Sequence, residues 1–189
     1  MWTKYILLSF ILTFSSPVAQ VVQAEEAAFV PRREPETQAC WISEPAIRVC
    51  DGLNISSSRI SLALRYWERL GYSFGPIIYD NSSPACRTNP LWGEIILSLP
   101  NQSFDFEKLA LTRTTKLQVD NTILYSQIFL QERYITKERV LEHEIGHALG
   151  WSHTSMRYHL MNEAWESGGH NSSGLKYTRY IELCQDSLE

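Results

Sequence analysis

The stretch HEIGHALGWSH, residues 143–153, constrains the fold more than any other part of the chain. It carries three of the five histidines. Two of them, His143 and His147, are four residues apart, so on a helix they point the same way, one turn above the other. An unbroken helix would carry His153 about 15 Å along the axis from His143. The third histidine can rejoin the other two only if the chain turns between them. Gly150 lies where that turn is needed, and glycine adopts the positive φ that other residues resist. A helix is therefore expected through His143 and His147, with a stop at Gly150 and a return that brings His153 back. Thr136 is the expected N-cap and Glu138 suits the first turn. Leu141, Ile145, Ala148 and Leu149 form the stripe to be buried.

Imidazole is a good zinc ligand, and a catalytic zinc takes three protein ligands with one position left for water. His143, His147 and His153 are the candidate ligands. Glu144 directly follows the first, where it can stand beside a metal and accept a proton from bound water. A structural zinc site would instead close with a fourth protein ligand. His159 is the candidate for that role, and a secreted, zinc-stabilised binding module is the alternative from a different functional class. Otherwise His159 reads as a packed or solvated loop residue, and His170 as loop surface.

The pattern H-E-x-x-H-x-x-G-x-x-H resembles the zinc signature of the metzincin metallopeptidases. Met161, eight residues after His153, stands where that family has a methionine turn beneath the metal. This spacing, and Thr154 after the third histidine, resemble the matrixin branch. Asn162 and Glu163 depart from the Tyr-Pro that matrixins usually carry after the methionine. No tyrosine stands two places after Met161, so a tyrosine ligand is not expected. The resemblance covers residues 45–165 as architecture and 143–161 as specific motif. It implies an α+β catalytic domain: a mixed twisted sheet with an active-site helix and a C-terminal helix. It also implies a zinc endopeptidase in which Glu144 is the general base and a peptide or protein is the substrate. In metzincins the substrate lies extended along an edge strand above the helix. The run 93–99 resembles that strand and is the expected substrate rim.

The rest of the chain sets the context. Residues 1–24 read as a signal peptide: a basic start at Lys4, a short apolar run, then Val22-Gln23-Ala24 as a cleavage site. Residues 25–39 are polar and read as a flexible arm, leaving 40–189 as the catalytic domain. The expected location is secreted or periplasmic, with no membrane contact after cleavage of the leader. A monomer is expected. With a net charge of -4 there is no basic footprint for nucleic acid. The four cysteines form no CxxC pair. In an exported protein they predict two disulfides, and proximity in sequence favours Cys40 with Cys50, leaving Cys86 with Cys184. Asn54, Asn81, Asn101 and Asn171 each begin an N-x-S/T sequon, relevant only if the host glycosylates.

Upstream of the histidines, apolar runs bounded by Gly and Pro predict strands at 46–50, 75–80, 93–100 and 121–131. The last is apolar on both faces and should be covered on both. Residues 110–118 are ambiguous between strand and loop. A helix over 56–72 is predicted, capped by Ser56, Ser57 or Ser58 and stopped by Gly71. Its buried face would hold Ile60, Ala63, Leu64, Trp67 and Leu70. Residues 150–174 read as irregular and 175–188 as a final helix.

Overall fold

The computed structural model describes residues 39–79, 86, 90–100, 104–105 and 107–172. The expected leader and nearly all of the arm, the C-terminal helix, Cys184, Asn81 and Asn101 lie outside these residues. The described chain is a mixed α/β fold with a mostly parallel sheet and two helices.

Six strands form in chain order: β1 Cys40–Trp41, β2 Ala46–Val49, β3 Ile77–Tyr79, β4 Glu94–Ser98, β5 Ala110–Lys116 and β6 Thr122–Leu130. Side by side, β3, β2, β4 and β6 are parallel, and β5 closes against β6 antiparallel. The short β1 pairs with the start of β6. Within the ambiguous run 110–118, residues 110–116 form a strand, which among the described strands pairs with β6 alone. The run expected as the substrate rim is not at an edge. Its strand β4 is hydrogen-bonded to β2 on one side and β6 on the other, and four of its five residues are buried. Its near-continuous apolar sequence, EIILS, is what a central parallel strand requires.

Helix α1 spans Ser57–Glu68, and the Ser56 side chain accepts the Arg59 N–H at 3.2 Å. Ile60, Ala63, Leu64 and Trp67 are buried as expected, joined by Tyr66, and Gly71 turns the chain at φ 97°. The second helix, α2, spans Val140–Ala148. It begins later than Thr136 and Glu138 predict. Residues 131–140 are used in successive tight turns, in which the N–H groups of Tyr134, Ile135, Lys137 and Val140 each bond three residues back. The buried Ile135 anchors these turns. The N-cap is Arg139, in the left-handed region at φ 68°.

Two polar contacts hold α1 against α2. The Arg59 guanidinium forks onto both oxygens of Glu142 at 2.9 Å each, and Trp67 Nε1 donates to the Glu142 carbonyl at 2.8 Å. Both helices cover the same side of the sheet. Ile47, Val49, Ile95, Leu97, Ile128 and Leu130 meet Ile60, Trp67, Leu141, Ile145 and Leu149 in one core. A bulge opposite Thr115 and Lys116 shifts the β6 pairing by one residue. Ile123 therefore joins this core with Ile128 and Leu130 instead of facing away with Tyr125 and Phe129.

The disulfide pairing differs from expectation: Cys50 is bonded to Cys86. Sheet register explains why Cys40 is not the partner. Cys40 is level with Thr122 on β6, whereas Cys50 follows Val49, which is level through Leu97 with Ile128. The two cysteines are separated by about seven residue rises, roughly 23 Å along the strands. A disulfide spans less than about 7 Å between Cα atoms. Cys40 is itself disulfide-bonded. Disulfides fit an oxidising compartment, and no helix among the described residues is long and apolar enough to cross a membrane.

Candidate metal centre

The three histidines of the opening motif converge. Helix α2 presents His143 and His147 one turn apart. It then ends in a glycine stop: Gly150 N–H bonds the His147 carbonyl at 3.0 Å, and Trp151 N–H bonds the Gly146 carbonyl at 2.9 Å. Gly150 takes φ 94°, and an added Cβ would overlap the Ala39 carbonyl oxygen. Both backbone conformation and space therefore call for glycine. The returning chain brings His153 Nε2 to 3.2 Å from His143 Nε2 and 3.0 Å from His147 Nε2. His143 and His147 are 3.1 Å apart at the same atoms.

Three imidazole nitrogens at this spacing suit a cation. His143 Nδ1 lies 2.7 Å from the Leu160 carbonyl and His147 Nδ1 lies 2.7 Å from the Trp151 carbonyl. A carbonyl only accepts, so each Nδ1 carries the proton and each neutral ring turns a bare lone pair inward at Nε2. Facing lone pairs cannot bond to each other, and a shared ion resolves the conflict. Orienting a ligand histidine through its other nitrogen is the usual arrangement in metal sites. Four-coordinate zinc at 2.0–2.1 Å holds its nitrogens about 3.3 Å apart, close to what is found here. Burial, partly offset by the Leu160 hydrogen bond, lowers the His143 pKa to about 4. Burial and the neighbouring His143 and His153 lower that of His147 to about 3. Both rings are thus held neutral, the state in which imidazole binds metal.

Glu144 is buried beside this cluster and lines the same cleft, a volume of about 780 Å³ bounded by β5, α2 and residues 160–168. Burial pushes its carboxyl up to about 7, against the opposing pull of a Thr112 hydrogen bond and Lys108. Thr112 Oγ1 lies 2.6 Å from Glu144 Oε2.

The loop after His153 is built around buried residues. Thr154 N–H bonds the Met161 carbonyl at 2.9 Å, and Asn162 Nδ2 donates to Met156 O at 3.0 Å. Met161 is fully buried beneath α2 at Gly146. His159 is fully buried, and its Nδ1 accepts the Met161 N–H at 3.1 Å. It is absent from the converging group, which among the described residues is His143, His147 and His153. His159 therefore shapes the loop and does not supply a fourth ligand. His170 lies away from the cluster, 2.6 Å from Glu138 Oε1.

Several residues at the site were not singled out from the sequence: Thr112, Thr114, Gly146, Trp165 and the carbonyl groups of Trp151 and Leu160. For the threonines a signal existed, since residues 112 and 114 alternate on one face of a strand next to a helix carrying histidines. Carbonyl partners leave no mark in a sequence. Set against known proteins, the chain matches no family model and no curated sequence.

Proposed function

We propose that this chain is a secreted zinc endopeptidase of metzincin type, closest to the matrixin branch, that hydrolyses peptide bonds with a metal-activated water. One observation carries the reading: three Nε2 lone pairs converge within 3.0–3.2 Å while a buried carboxyl, Glu144, stands next to them in an open cleft. A purely structural site has no use for such a carboxyl and would close with a fourth ligand.

His143, His147 and His153 hold the zinc, which when bound supplies Lewis acidity and lowers the pKa of a coordinated water. In that chemistry Glu144 would accept a proton at its carboxylate and return it to the leaving amine. The extended substrate pairs with the edge of β5 that no described strand covers, which borders the cleft through Ala110, Thr112 and Thr114. This replaces the 93–99 run as the substrate rim.

The deciding experiment is hydrolysis of fluorescein-labelled casein by the purified, zinc-loaded protein, with and without a chelator. Chelator-sensitive cleavage is expected. No cleavage by a fully zinc-loaded, folded protein would refute the reading.

A further inference from the structure

The contact between the edge strand and Glu144 goes further than the ligand set. Thr112 stands inside β5, with Oγ1 2.6 Å from Glu144 Oε2 and 3.1 Å from the Glu144 main-chain carbonyl. One hydroxyl proton serves one acceptor at a time, and the short bond to a carboxylate is the stronger of the two. Two neighbouring hydroxyls also reach α2. Thr114 Oγ1 meets the His147 carbonyl at 3.3 Å, and Ser126 Oγ meets the Ala148 carbonyl at 3.4 Å. Those longer contacts dock the helix on the sheet, a task that needs only main-chain acceptors. Thr114 and Ser126 also bond each other, at 2.8 Å between hydroxyl oxygens, but of the three only Thr112 bonds a side chain of α2, the carboxyl adjoining His143.

The other carboxylate oxygen, Oε1, makes no hydrogen bond among the described residues, and Glu144 lines the cleft. The terminal torsion of glutamate is broad, so a carboxylate with one oxygen pinned is far better ordered than one with neither. We infer that Thr112 is a positioning residue: its hydroxyl pins Glu144 Oε2 and leaves Oε1 facing the cleft to receive a proton. The catalytic part of this inference rests on the peptidase reading, whereas the contact itself does not.

Thr112→Val removes the hydroxyl and keeps the branched shape, and Thr112→Ser restores the hydroxyl. The full chain, loaded with zinc, is compared in the three forms. The readouts are the Glu144 ¹³Cδ resonance (assigned by its loss in Glu144→Gln), zinc content, and kcat and KM on fluorescein-labelled casein, all below the lowest melting temperature. The expected result is a displaced Glu144 resonance in Thr112→Val, unchanged zinc content and KM, and kcat down on the order of tenfold. Thr112→Ser should return both resonance and kcat toward wild type. An unmoved resonance, an unchanged kcat, or a Thr112→Ser protein as impaired as Thr112→Val overturns the positioning role. If the wild type leaves casein intact, the peptidase reading fails on that observation, and the resonance still decides whether Thr112 holds Glu144.

Discussion

Met161 packs against the bare Cα of Gly146, the residue before His147 on α2. A Cβ added to Gly146 would overlap Met161 Sδ and come within 2.6 Å of Trp67 Cζ2. Ordinarily alanine stabilises a helix interior over glycine by roughly 0.5–1 kcal/mol. Here overpacking wins, because both obstructing side chains are fully buried and overfilling a core costs about 1–3 kcal/mol. Gly146→Ala should lower stability by about 1–2 kcal/mol in urea denaturation. A variant as stable as wild type would mean that the methionine does not press on the helix.

The histidines and Glu144 should give the chelator-treated protein opposing pH dependences. The folded pKa values of His143 and His147 lie near 4 and 3, below the ordinary 6.5. Between those limits the unfolded chain binds more protons, so stability present above pH 6.5 is lost as pH falls toward 4 and 3. Glu144 is raised from 4.5 to about 7, so in that window the folded chain binds the extra proton. Its contribution is full below pH 4.5 and is lost as pH rises through 7. Glu144→Gln should therefore gain roughly 3 kcal/mol relative to wild type between pH 4.5 and pH 8. Denaturation at the two pH values measures this, and a difference that does not change with pH would contradict the buried, raised carboxyl.

The parts of the site that were legible in the sequence are those fixed by spacing along one element. The offset of four makes His143 and His147 neighbours, and the positive φ required for the return singles out Gly150. Where long-range pairing decides, the sequence is silent. The strand 94–98 looks like any apolar run, and only the hydrogen bonds to β2 and β6 make it central. Thr136 is a good cap chemically, but the turns anchored by buried Ile135 delay the helix to Val140. Cys50 and Cys86 are separated by 36 residues, and proximity in sequence cannot report a pairing over that distance.

That disulfide gives a separate prediction. Closing a loop of 36 residues restricts the unfolded chain by about 4 kcal/mol in the chain-entropy picture. Its sulfurs sit on the sheet face away from the helices, beside Ile96. Replacing both cysteines by serine should thus cost stability, by about 2–4 kcal/mol, without altering zinc content. Non-reducing peptide mapping should recover a Cys50–Cys86 peptide, and a Cys40–Cys50 peptide would contradict the register.

Metal binding and proton transfer should separate cleanly between His153 and Glu144. His153 stands 3.0–3.2 Å from both helical histidines, brought there by the turn at Gly150. His153→Ala leaves two helical imidazoles, and zinc affinity should fall by more than the 10–100-fold typical of losing an outer-shell partner. Glu144 belongs to the cleft and not to the converging nitrogens. Glu144→Gln should accordingly keep zinc at one equivalent while casein hydrolysis drops by about 10²–10⁴-fold, the range for loss of a general base. Zinc content by metal analysis and turnover on the same preparations test the pair together. Retained turnover in Glu144→Gln would remove it as the base, and full zinc affinity in His153→Ala would remove His153 from the ligand set.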